Sequence, residues 1–116
     1  MAAFEFKKKI IALEFPDVKI ELEYNSELRR KLTQVGESLQ TIGKEAEANP
    51  DSGIAYLKSG IDSICGDGAC DKIIGGREVD LDDYVDILKY IIVEITNYTN
   101  KYMTQFSKYL KNEITD

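Results

Sequence analysis

From residue 80 to residue 112 an apolar repeat runs with no glycine or proline to interrupt it. Leu81, Tyr84, Val85, Leu88, Ile91, Ile92, Ile95, Tyr98, Tyr102, Met103, Phe106, Tyr109 and Leu110 recur at three- and four-residue steps, the spacing of one helix face. Asp80 stands at the N-cap position, and Asp82 and Asp83 place negative charge at the positive end of the helix dipole. A helix of some 30 residues is roughly 45 Å long, whereas a domain of this size has a radius of gyration of about 13 Å. The C-terminal third must therefore project beyond the core or fold back. It holds Tyr98, Tyr102, Met103, Phe106 and Tyr109, residue types that interfaces favour. We read them as a partner-binding face; in the alternative reading the tyrosines line the domain's own hairpin.

Upstream, Ile54, Leu57, Ile61 and Ile64 repeat the helical spacing over residues 50–65, with Asn49 as N-cap and Pro50 at the first helical position. Gly66-Asp67-Gly68 stops that helix. A short helical turn around Ala69, Ile73 and Ile74 follows, and Gly75-Gly76 stops it in turn, so residues 66–79 form a glycine-rich loop.

The first 25 residues alternate with period two. Ile11, Leu13 and Phe15 occupy one face, and Val18, Ile20, Leu22 and Tyr24 occupy one face of a second run. Pro16-Asp17 between them is a turn dipeptide, which predicts a β-hairpin with one apolar side. Phe4 and Phe6 have the opposite parity, so a bulge near Lys8 and Lys9 or a separate short strand is expected. Ser26 is expected to cap a helix over residues 26–48. Its stripe of Leu28, Leu32, Val35, Leu39, Ile42 and Ala46 faces either the core or a second chain. Gly36 and Gly43, one heptad apart, suggest a side where a neighbouring backbone comes close. The expected fold is a single α+β domain over residues 1–116, mostly helical: an antiparallel hairpin, then three to four helices, the last one long.

The charge of −6 is unevenly placed. Residues 45–94 hold 12 acids and 4 bases, residues 1–44 hold 7 and 8, and residues 95–116 hold 2 and 3. Such a chain lacks the basic footprint that phosphate backbones require, so no nucleic-acid partner is expected. No apolar run approaches the roughly 20 residues of a membrane span, and the N-terminal pattern is unlike a secretory signal. The expected compartment is the cytoplasm.

The chain has no histidine, which removes Ser/His/Asp and Cys/His catalysis. Cys65 and Cys70 flank the Gly-Asp-Gly turn without a second cysteine pair, so neither a zinc site nor a cofactor is expected. They read as buried thiols acting as small hydrophobes; a disulfide across the turn is the other geometry. The spacing of Asp62, Asp67, Asp71, Glu78, Asp80, Asp82, Asp83 and Asp86 does not match a calcium loop. Asp82, Asp83 and Asp86 form an acidic face. We expect no enzyme and no small-molecule substrate.

Several residues together carry a resemblance. They are Ile61-Asp62, Gly66-Asp67-Gly68-Ala69, Asp71-Lys72-Ile73-Ile74-Gly75, Arg77, Asp80 to Leu88, and Tyr90 to Ile95. This pattern resembles the small tail assembly chaperones of long-tailed phages and prophages of Gram-positive hosts. Cys65, Cys70 and Gly76 depart from it. Gly66, Gly68, Gly75, Arg77 and Asp80 are the loop and helix-cap positions of that motif.

The resemblance implies a protein that binds the tape-measure protein, keeps it soluble, and recruits tail-tube subunits. It also implies self-association along the client, residence in the bacterial cytoplasm, and absence from the mature virion. Two other roles compete: an acidic protein that inhibits a host factor through residues 78–86, and a homo-oligomeric structural tail protein.

Overall fold

A computed structural model describes residues 3–114. It shows a two-stranded antiparallel hairpin followed by four helices. The strands are β1 (Ile10–Glu14) and β2 (Lys19–Glu23), in the register Ile11 to Leu22 and Leu13 to Ile20. Their alternation does what it predicts: Ile11, Leu13 and Leu22 are buried on one face, while Ala12 and Glu21 pair on the other. The Phe15 N–H donates to the Val18 carbonyl at 2.9 Å and closes the turn around Pro16-Asp17.

Phe4 and Phe6 belong to no strand. The Tyr24 N–H reaches the Lys9 carbonyl at 2.7 Å, but residues 3–8 leave the ladder. Their opposite parity therefore needs neither a bulge nor a second strand. The two rings instead meet edge to face, with centroids 4.8 Å apart, in an arm that is exposed to solvent.

Helix α1 spans Ser26–Ala48, and its cap is Asn25 rather than Ser26. Asn25 holds an extended backbone (φ −152°) and its Oδ1 accepts from the Leu28 N–H at 2.9 Å, so Ser26 becomes the first helical residue. Replacing Asn25 by alanine is expected to cost about 1 kcal/mol in urea unfolding, and Ser26→Ala only a few tenths. Along the stripe Leu28 and Val35 are buried and Leu32 and Leu39 half-buried against the core; the side chains of Ile42 and Ala46 lie outside the described residues. The described part of the stripe thus faces the core.

Helix α2 (Pro50–Cys65) lies between α1 and the long last helix and supplies Leu57, Ile61 and Ile64 to the core. The close approach of α1 and α2 is not at Gly36 or Gly43, where an added Cβ would meet nothing within 4 Å. It is at Gly60, where a Cβ would lie 3.3 Å from Val35 Cγ1. The relevant glycine sits on the partner helix, opposite a branched side chain.

Helix α3 (Ala69–Ile74) occupies the glycine-rich loop and buries Ala69, Cys70 and Ile73. Helix α4 (Leu81–Ile114) has 34 residues and runs against α2 and β1. Tyr84, Leu88, Ile91 and Ile95 form its buried stripe. The molecule measures 58 × 30 × 20 Å with a radius of gyration of 17.6 Å, well above that of a compact domain this size. The excess is the C-terminal end of α4, where every residue from Lys101 to Lys111 is exposed.

Candidate functional site

At 100° of arc per residue, Leu88, Ile91, Ile95, Tyr98, Tyr102, Phe106 and Tyr109 fall within about 80° of one another on α4. The first three are buried under the hairpin and α2. Tyr98 is half-buried: its ring lies 5.0 Å from that of Tyr24 on the hairpin and 5.2 Å from that of Tyr102. The Tyr24 hydroxyl and Thr99 Oγ1 share a hydrogen bond at 2.9 Å, which pins the hairpin to α4 at this level. Burial first, and the Tyr102 hydroxyl second, raise the Tyr98 phenol above its ordinary pKa. Beyond this point the covering ends, while the apolar stripe continues.

Tyr102 is 42 % exposed, Met103 58 %, Phe106 57 % and Tyr109 61 %. The sequence-predicted face is thus divided. Tyr98 serves the domain's own hairpin, and the other four form an open ridge. Lys9 Nζ lies over the Tyr102 ring at 5.3 Å, so the N-terminal arm that carries exposed Phe4 and Phe6 leaves the hairpin beside this ridge. Sequence reasoning placed the arm in a strand and missed this neighbourhood. The signal was there: two phenylalanines of the wrong parity followed by three lysines.

The loop residues of the motif act on the fold. Gly66 ends α2 at φ 111° and ψ 156°, a region open essentially to glycine alone. Gly68 caps α3 without a side chain, and Asp62 of α2 fills that role: its Oδ1 accepts from the Cys70 N–H at 2.8 Å. Arg77 Nη1 donates to Asp17 Oδ2 at 2.6 Å and to the Ile74 carbonyl at 3.0 Å, fastening the hairpin turn to the end of α3. Gly75 (φ 63°) leaves room for that pair, since a Cβ there would stand 2.6 Å from Asp17 Oδ2. The guanidinium holds the Asp17 carboxyl below its ordinary pKa of 3.8, so this clamp is intact above that pH and opens as pH falls through the lowered value.

At Asp80 the expected cap runs in the reverse sense. The Asp83 carboxylate accepts from the Asp80 N–H at 2.9 Å, while the Asp80 carbonyl receives the Asp83 N–H at 3.0 Å. Asp82, Asp83 and Asp86 are exposed. Asp83 and Asp86 border a shallow groove of about 220 Å³ lined by Phe15, Ile74, Val79 and Ile87, at the opposite end of the hairpin from the ridge.

The two cysteines are free thiols, Cys70 buried and Cys65 half-buried. Burial first, and the nearby Asp62 charge second, push the Cys65 thiol up to about 12. At pH 8 its alkylation by iodoacetamide is expected to be at least about a hundredfold slower than in the urea-unfolded chain, read by mass spectrometry. Comparable rates would show that the loop opens readily.

Among the described residues no helix is long and apolar enough to cross a membrane. Neither a curated protein nor a solved structure matches the chain. The profile of the family of unknown function DUF6673 matches residues 11–115, from the hairpin through α4, and the chain belongs to that family.

Proposed function

We propose that the protein is a tail assembly chaperone of a long-tailed phage or prophage. It binds the tape-measure protein in the cytoplasm of the bacterial host, keeps that long helical chain soluble, and brings tail-tube subunits to it. Several copies coat one client, and none remains in the finished particle.

The observation that carries this reading is the open ridge of Tyr102, Met103, Phe106 and Tyr109, held clear of the core on the projecting end of α4. A stripe of aromatic anchors at helical spacing suits an amphipathic helix as partner. The motif of the loop supports the family resemblance, and its residues fasten the scaffold that carries the ridge.

The experiment is co-expression with the tape-measure protein encoded nearby, followed by pull-down and light scattering. A soluble complex with many copies per client is expected. A lone monomer beside an insoluble client would defeat the proposal, and mass spectrometry of mature particles that found the protein would turn it into a structural tail component.

A second reading is favoured by exposed Asp86 beside the Phe15–Ile87 groove, with exposed Asp82 one turn before it on α4: an acidic protein that inhibits a basic host factor. Under it Asp82→Lys with Asp86→Lys abolishes activity, whereas under the chaperone reading it leaves client binding intact. Asp83 is unsuited to this test because it caps α4.

A further inference from the structure

The charge around the ridge differs from that of the rest of the chain. In a protein of net charge −6, the stretch from Thr96 to Lys111 holds three lysines and no acid, and the adjoining arm adds Lys7, Lys8 and Lys9 against Glu5 alone. On α4, Lys101 and Lys108 lie on the Tyr109 side of the ridge, about 80–100° of arc from Tyr109 and about 140–160° from Phe106. Lys9 stands on Tyr102 itself. We propose that this end of the molecule docks an amphipathic helix whose apolar stripe is bordered by acidic residues. The inference rests on the chaperone reading and specifies which kind of client segment the ridge receives.

Two features on the molecule argue for it. The ridge continues the stripe by which Leu88, Ile91 and Ile95 seat α4 on the fold, so its shape is that of a helix face already used for packing. Lys9 already stands over Tyr102, and closing the rest of the arm onto the ridge would bring Lys7 and Lys8 against Lys101 and Lys108, like charges that repel. An acidic border removes that repulsion and fixes which side of the incoming helix faces the lysines.

A second copy offers less. Its acidic groove at Asp83 and Asp86 is shallow, about 220 Å³, whereas the anchors from Tyr102 to Tyr109 extend over roughly 10 Å of helix.

Full-length protein is titrated by fluorescence anisotropy with two labelled amphipathic helices of about three heptads. They share one leucine stripe, bordered by glutamate in the first and by lysine in the second. The glutamate helix is expected to bind about tenfold more tightly at low ionic strength, with the gap closing as salt screens the pairs. Phe106→Ala weakens both helices, and Lys101→Glu with Lys108→Glu reverses the preference. These positions are exposed, and circular dichroism verifies that each variant keeps its fold.

Equal affinity for the two helices, binding of neither, or binding indifferent to Phe106→Ala overturns the inference. So does self-association of the protein alone that Phe106→Ala abolishes, since a second copy would then hold the ridge. If neither helix binds while co-expression still solubilises the tape-measure protein, the inference falls and the chaperone reading stands. If the glutamate helix binds while the client precipitates, the surface is real and the client is another protein.

Discussion

Ile91→Ala is expected to lower the stability of the protein by about 2–5 kcal/mol, the range for truncating a large aliphatic side chain in a packed core. Ile91 has 0 % exposure and sits midway along the buried stripe of α4, between Leu88 and Ile95. The hairpin covers one side of that stripe and α2 another, so neither can close over the gap without losing contact elsewhere. Small domains have only about 5–15 kcal/mol in total, so the change removes a large share of it. Urea unfolding should show a lower midpoint with an unchanged m-value. The matched control is Phe106→Ala on the same face, 57 % exposed, for which a shift within about 0.5 kcal/mol is expected. A loss below about 1 kcal/mol at Ile91 would mean that α4 is held less tightly on the hairpin than its burial implies.

Under the proposed function, the largest effect is expected from Tyr102→Ala combined with Phe106→Ala. Central aromatic anchors of an interface cost about 2 kcal/mol or more each when truncated, so the pair should weaken client binding by well over tenfold. Co-expressed tape-measure protein should then move from the soluble to the insoluble fraction, while the variant itself loses only about 1 kcal/mol of stability, from the Tyr102 contacts with Tyr98 and Lys9. Tyr98→Ala is the contrasting case. Its ring packs on Tyr24 at 5.0 Å, so its loss should appear first as lower stability. Equal solubilisation by the double variant would remove the ridge from the client interface.

Much of the fold was legible because its patterns are local. The parity of Ile11, Leu13 and Leu22 requires a hairpin with one apolar face, and Gly66, Gly68 and Gly75 stand where the chain must turn with positive φ. What could not be read depended on contacts distant in sequence. Asn25 and Ser26 can both cap a helix, and only the extended backbone at Asn25 decides between them. Gly36 and Gly43 have suggestive spacing, but whether a glycine faces a neighbour depends on how α1 and α2 cross, and Gly60, which no such spacing marks, does. Asp62 caps a helix that begins seven residues later, beyond any capping motif. The ridge itself was half visible. Periodicity shows that Tyr98, Tyr102 and Phe106 share a face, yet it contains no mark for where the hairpin stops covering it.

The hairpin rests on a helix encoded at the other end of the chain: the Glu14 N–H donates to the Tyr90 hydroxyl across 76 residues. A ribosome adds about 5–20 residues per second, so β1 waits roughly 4–15 s after its own synthesis before its cover emerges. During that interval Ile11, Leu13 and Leu22 face water or whatever else is at hand, and a nascent chain arrested before α4 should display them. Arrested chains ending near residue 80 are therefore expected to be cut by protease within the hairpin, and chains released with all of α4 to resist. The last helix completes the first structural element, and the protein passes through a sticky stage of its own until that helix emerges.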